Sequence, residues 1–254
     1  MKLNSLTDTH FHLNSEDDIE EIIKRARDNN VENLILSCCD LKNIEELLEI
    51  INRYPNIYLT IGLHPDEIDS FNDTTITYFE KLIKSNQKII GIGEIGLDYY
   101  HNKDNKKEQI KLFKEQLDLA KKLDMPVIIH SREATNDTIN ILKEYKLKTT
   151  IHCFTGSLEI AKMYIKEGYL LGIGGVSTFK NTNLKETLKY IPLENIVLET
   201  DSPYLSPEPF RGVKNEPKNI SIICENLANI KGISLEEVIK ITTNNVVNQY
   251  KRLG

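Results

Sequence analysis

All six histidines of this chain fall at or just beyond the ends of strand-like runs, and none falls in a helix-like one. His10 and His12 flank Phe11, so on a strand both imidazoles point the same way and can share one cation. His130 closes the run PVIIH, and His152 lies in Thr150-Ile151-His152-Cys153. Two carboxylates occupy matching places: Glu94 at the tip of Ile89-Ile90-Gly91-Ile92-Gly93, and Asp201 after NIVLET. A carboxylate at the end of a buried strand is costly unless positive charge meets it. The pattern therefore predicts that Glu94 sits between two metal ions, with His10, His12, His130, His152 and Asp201 completing their shells. Six imidazole and carboxylate donors exceed what one tetrahedral ion uses and suit a bridged pair. Imidazole favours Zn, Mn or Fe, whereas carboxylate and water suit Mg and Mn, so the donors leave the metal open. Water bound to such ions is acidified towards hydroxide.

Other assignments compete for these residues. A lone strand-end histidine is commonly a hydrogen-bonded structural group, and Asp201-Ser202-Pro203 suits a turn. Gly91, Gly93 and Gly96 match the G-x-G-x-x-G dinucleotide pattern, which carries meaning only where it opens a helix directly. Here it runs into Leu97-Asp98-Tyr99-Tyr100, read as loop, with the next helical pattern near Asn105. His64, before Pro65, is a candidate hydrogen-bond donor to phosphate, and Arg132 and Arg211 are candidate phosphate clamps. Lys103, Lys106 and Lys107 read as a solvated helix start. Cys153, next to His152 on an alternating strand, points away from the site, and neither Cys38 nor Cys39 is assigned chemistry.

These residues need a scaffold that gathers strand ends. Strand-like and helix-like segments alternate throughout. The strands are expected over 6–12, 33–38, 57–62, 88–94, 126–130, 149–153, 169–173 and 195–200. Helices are expected over about 16–29, 74–85, 106–123, 134–145, 158–166 and 184–190. One more carries Ile44, Leu47, Leu48 and Ile51, and two further helices close the chain. Ser234 and Glu237 form a capping-box pattern, and Gly232 ends the helix before it. Eight strand–helix units of aliphatic strands in 254 residues predict an α/β fold, a (β/α)8 TIM barrel, as a single domain over 1–254 with additional C-terminal helices. A doubly wound open sheet is the alternative, but it would use mainly one switch point rather than many strand ends.

Composition narrows the function. With 40% hydrophobic and 28% charged residues, the chain can bury a sizeable core. It has no apolar run long enough for a membrane span and no signal-peptide h-region. Four cysteines without a C-x-x-C pair fit a reducing cytoplasm. The net charge of −6 argues against coating nucleic acid through a general basic surface, but not against an enzyme whose metals add positive charge.

The blocks THFHL, GLHP, GEIGLDYY, PVIIHSRE, IHCFTG and ETDSPYL, followed by Arg211-Gly212 and Asn215-Glu216-Pro217, resemble the TatD family of metal-dependent deoxyribonucleases from about Thr7 to Pro217. The resemblance implies a TIM-barrel hydrolase that cleaves DNA, often as a 3′-5′ exonuclease, through a metal-bound hydroxide at a site of two divalent ions (Mg, Mn or Zn). It maps the ligands onto His10, His12, Glu94, His130, His152 and Asp201; Glu94 and Asp201 are read from their placement as the catalytic residues. A monomer with no obligate protein partner is expected. A metal-dependent amide or ester hydrolase of amidohydrolase type, including one acting on aminoacyl-tRNA, is the rival. That group commonly uses a carboxylated lysine as bridge, and no lysine occupies a strand end here. A metal-binding scaffold without catalysis is a second rival.

Overall fold

Aliphatic runs become the strands, and amphipathic segments between them the helices. A computed structural model describes residues 4–14, 16–101 and 103–253. In chain order it has β1 (Leu6–Phe11), α1 (Ile19–Asp28), β2 (Val31–Cys38), α2 (Ile44–Arg53), β3 (Ile57–Ile61) and α3 (Thr75–Ser85). Next come β4 (Ile89–Asp98), α4 (Lys106–Leu123), β5 (Val127–Arg132), α5 (Thr135–Tyr145), β6 (Thr149–Ile151) and α6 (Leu158–Lys166). The chain continues through β7 (Leu170–Ile173), α7 (Leu184–Tyr190), β8 (Ile196–Leu198), α8 (Ile220–Lys231) and α9 (Leu235–Gln249). The eight strands form one sheet in chain order. Just past β8, Ser202 makes a parallel bridge to Phe11 of β1. This is the topology of a (β/α)8 barrel, with α9 added beyond the eighth helix.

By contacts the chain divides into two units. The first comprises Met1–Leu36 and Cys153–Asn248, and the second Ser37–His152 and Gln249–Gly254.

In the first unit, α1 starts where Asp18 accepts the N–H groups of Glu20 and Glu21, at 3.1 and 3.2 Å. Ile22, Ile23 and Ala26 form its buried face. Gly232 ends α8 at φ +67, and Ser234 accepts the N–H of Glu237 at 3.1 Å to start α9. β8 is shorter than the expected run 195–200, so Thr200 and Asp201 lie beyond it.

In the second unit, every residue of β4 is buried. The strand continues through Glu94 to Asp98, where a loop was expected after Glu94. Gly91, Gly93 and Gly96 serve strand packing rather than a nucleotide. A Cβ on Gly93 would lie 2.6 Å from Ile128 Cβ, and one on Gly96, at φ +149, would lie 2.0 Å from the His130 carbonyl oxygen. Leaving out those methyls lets β4 pair closely with β5, Gly96 opposite His130 and Asp98 opposite Arg132. The tail of the chain returns to this unit. Arg252 Nη1 lies within hydrogen-bond range of the carbonyls of Ile83, Asn86 and Ile89, and Gln249 Nε2 donates to Thr150 Oγ1 at 3.2 Å.

Candidate functional site

In the first unit, His10 near the end of β1 and His12 just after it bring their Nε2 atoms to 3.0 Å, with the rings edge to face. Asp201 Oδ1 lies 3.5 Å from His12 Nε2 and 4.0 Å from His10 Nε2. Asp201 adopts φ +55, so it occupies a turn and faces the imidazoles at once. The Asp201 N–H donates to the His10 carbonyl at 2.9 Å, the His12 N–H to the Ser202 carbonyl at 2.7 Å, and the Tyr204 N–H to the Asp201 carbonyl at 2.9 Å. Behind them, Asp8 is fully buried. Its Oδ1 accepts the N–H groups of Thr200 (2.9 Å) and His10 (3.3 Å), and its Oδ2 accepts Thr200 Oγ1–H at 2.5 Å. Burial pushes the Asp8 carboxyl up to about 8, against the lowering effect of these bonds. Donors held about 2.1 Å from a tetrahedral ion stand about 3.4 Å apart. The 3.0, 3.5 and 4.0 Å separations of this imidazole–imidazole–carboxylate set therefore fit a divalent cation.

In the second unit, three imidazoles surround one oxygen of buried Glu94. His130 Nδ1 lies 2.8 Å from Glu94 Oε1, His152 Nε2 3.7 Å and His64 Nε2 3.9 Å. The other ring nitrogen of His130 lies 3.0 Å from Asp98 Oδ2, which also meets His101 Nδ1 at 2.9 Å. A carboxylate on one ring nitrogen fixes the tautomer so that the other faces the metal, an arrangement common at metal sites. Burial disfavours the imidazolium of His130, but the bonds to Asp98 and Glu94 outweigh it and carry the ring up to about 9. Burial works against ionised Asp98 too, yet His130 and His101 hold its carboxyl well below the usual carboxylate range.

His64 differs. Burial, with repulsion from His130 and against the pull of Glu94, lowers it to about 4, so the ring is neutral. Its Nδ1 accepts the Asp66 N–H at 3.2 Å. That bond favours the proton on Nε2, which faces Glu94, and His64 also stands with Glu94 and His130 in a group whose atoms could hold a metal ion. Two buried glutamines of α4 hold these strand ends. Gln116 bonds both backbone groups of Leu63, at 2.7 and 3.0 Å, and Gln109 bonds both of Asp98, at 2.8 and 2.9 Å.

Both candidate arginines are exposed and stand over aromatic rings. In the second unit the Arg132 guanidinium carbon is 4.0 Å from the Tyr100 ring centre. In the first, that of Arg211 is 4.1 Å from the Phe179 ring centre. Stacking of this kind holds a guanidinium while leaving its N–H edge for anions.

A family model described as TatD related DNase matches residues 7–251. The chain belongs to that family. The Bacillus subtilis protein named uncharacterized metal-dependent hydrolase YabD is 39% identical over 253 residues, covering 97% of this chain and 99% of its own. The human protein named deoxyribonuclease TATDN3 is 35% identical over 264 residues, covering 98% and 95%. The crystal structure of YJJV, a TatD homologue from Escherichia coli, superposes with a TM-score of 0.93 at 28% identity, covering 98% of this chain and 99% of that one. This TatD-family chain is a metal-dependent hydrolase, and its clustered His, Asp and Glu side chains can coordinate metal ions. No helix among the described residues is long and apolar enough to cross a membrane.

Several groups around these TatD-family donors were not found from sequence. Asp98 was assigned to a loop, although strand alternation from Glu94 would have pointed to it. Cys39, given no chemistry, has its Sγ 3.7 Å from Glu94 Oε2. Cys153 lies beyond β6 at φ +47, so the alternation argument does not apply to it. Its N–H donates to buried Glu199 at 2.5 Å. Gly172 leaves room for that carboxylate, since a Cβ there would come within 2.2 Å of it.

Proposed function

We propose that this hydrolase is a deoxyribonuclease that shortens DNA from the 3′ end, working as a single-domain cytoplasmic monomer with two divalent ions, Mg, Mn or Zn. His10, His12 and Asp201 are the donors of one set, and Glu94, His130 and His152 those of the other. Such ions, when bound, acidify coordinated water and offset negative charge on phosphoryl oxygens.

The chain's own groups do the rest. Asp98 orients His130 through Nε2, and Asp201 takes the proton of the attacking water. His64 donates its Nε2–H to a phosphate oxygen, and Arg132 and Arg211 each hold a phosphate through their N–H edges. The observation that carries the choice of DNA is the pair of exposed guanidiniums, each laid on a ring. Flat, fixed, anion-binding groups suit a phosphodiester chain better than a cyclic amide. The name of the human relative supports the same choice.

The test is incubation of the protein with 5′-labelled single-stranded DNA, an aminoacyl-tRNA and a cyclic amide, each with Mg²⁺, Mn²⁺, Zn²⁺ or a strong chelator. Progressive shortening of the DNA from its 3′ end is expected, stopping in chelator while the circular dichroism spectrum persists. Turnover of the amide or the aminoacyl ester with intact DNA would overturn the proposal.

A further inference from the structure

Asp201 is a non-glycine residue at φ +55, and something must hold it there. Its own backbone bonds fix the turn to β1, but the carbonyls on either side also need partners. Asn215, 2% exposed, supplies them. Its Nδ2 donates to the Thr200 carbonyl at 2.9 Å and to the Tyr204 carbonyl at 2.7 Å. These residues bracket Asp201-Ser202-Pro203, and the Asn215 N–H also donates to the Pro203 carbonyl at 3.0 Å. On the other side, Asn215 Oδ1 accepts the Glu216 N–H and Asn219 Nδ2–H, both at 2.9 Å. Asn219 is itself buried and stands at the start of α8.

Every hydrogen-bonding position of the Asn215 amide has a partner, and the partners fix its orientation. Two carbonyls demand the NH2 on one side, and a backbone N–H demands the oxygen on the other. A side chain so saturated is a rigid link from the first residues of α8 to the turn that presents Asp201. Asp8 grips the same turn from β1 through both Thr200 donors, so Thr200 is held from two directions.

We infer that Asn215 is a positioning residue: by clamping the Thr200 and Tyr204 carbonyls it sets the Asp201 carboxylate at ligand distance from the imidazoles of His10 and His12. The inference rests on the proposed metal role of Asp201. It explains why Asn215-Glu216-Pro217 follows the Asp-Ser-Pro turn, beyond any need to start α8.

Asn215→Asp keeps the shape and both acceptor bonds but turns a carboxylate oxygen towards two carbonyls. Asn245→Asp is the matched control, because Asn245 Nδ2 likewise donates two hydrogen bonds, to the carbonyls of Leu193 and Ile196 at 2.9 and 2.7 Å, where β8 begins. The measurement is Mn²⁺ binding to metal-free protein by calorimetry, with no DNA present, alongside thermal melting. Asn215→Asp is expected to weaken one Mn²⁺ equivalent by about 10–100-fold, the usual effect of losing an outer-shell partner. Asn245→Asp is expected to lower the melting temperature similarly with both equivalents unchanged. Unaltered binding in Asn215→Asp, or equal weakening in both variants, overturns the positioning role. If Asn215→Asp does not fold, Asn219→Ala removes one bond to Oδ1 and carries the test, and unchanged Mn²⁺ binding there overturns the role as well. Asp201→Asn is titrated beside them. If it keeps both equivalents at full affinity, the metal role of Asp201 fails and the positioning role with it. An affected Asp201→Asn with an unaffected Asn215→Asp sinks only the latter.

Discussion

Replacing Gly96 by alanine tests whether the β4 glycines exist for close strand packing. The new Cβ would stand 2.0 Å from the His130 carbonyl oxygen and 2.9 Å from its carbon, on a backbone at φ +149. Ordinary contact begins near 3.4 Å, so the His130 backbone must retreat by roughly 1.4 Å. Gly96 and His130 are direct partners in the β4–β5 ladder. The retreat therefore breaks the local pairing and carries His130 Nδ1 away from its 2.8 Å approach to Glu94. Overpacking costs about 1–3 kcal/mol, and a non-glycine residue in a glycine-only conformation adds about 1–3 kcal/mol. A loss near 4 kcal/mol corresponds to a melting temperature lower by roughly 10 °C. Gly212→Ala is the comparison, since φ is +85 there but nothing lies within 4 Å of its Cβ. It pays the backbone cost alone, about 1–2 kcal/mol, or roughly 5 °C. Thermal melts of both variants, with Mn²⁺ titration of the metal-free forms, check this. If Gly96→Ala melts within 2 °C of the wild type, or no lower than Gly212→Ala, the packing explanation of the motif is wrong.

Asp201→Asn removes charge and basicity while keeping shape, so kcat on DNA should fall by roughly 10²–10⁴-fold, as for a lost general base. A near-wild-type kcat would leave Asp201 as a turn residue. Arg132→Ala and Arg211→Ala should chiefly raise KM for DNA, and wild-type KM should rise with salt. KM values unchanged in both variants would remove these residues from the substrate's path. In the metal-free protein His130 is raised to about 9, so its stabilising contribution is complete below about 6.5 and fades as pH rises through 9. A metal ion must displace that proton, so Mn²⁺ affinity at this set should climb between pH 6.5 and 9. A flat affinity across that range would show that His130 is not protonated in the metal-free state.

The alternation of aliphatic strands and amphipathic helices was legible because each signal is local. The strand-end placement of the histidines could be read for the same reason. Residues whose roles depend on distant partners were not. Asp8 meets Thr200 across 192 positions, and Gln116 meets Leu63 across 53. No periodicity reports a side chain bonded to so remote a backbone group. The end of β4 was lost because Gly-Leu-Asp carries turn composition. What keeps it extended is β5, which accepts a strand with no Cβ at Gly96. Likewise the expected strand over 149–153 stops at Ile151, because Cys153 turns into the left-handed region as Glu199 receives its N–H. For His64 the residues offered a hydrogen bond to phosphate or a structural role, and the Asp66 N–H on Nδ1, a contact with a backbone group, was not legible there.

The way the chain is shared between its two units has a consequence for synthesis. Ser37–His152 is an insertion within the residues of the first unit, and Gln249–Gly254 returns to the second after the first has been traced. As the polypeptide emerges from the ribosome, β1 and β2 must therefore wait for β7 and β8, more than a hundred residues later. The second unit emerges as a continuous block but lacks the Arg252 side chain that caps the carbonyls of Ile83, Asn86 and Ile89 until the residues of the first unit have been made. A nascent chain stalled before residue 252 lacks the Arg252 donor beside the start of β4, and should depend on chaperones up to that length and less beyond it.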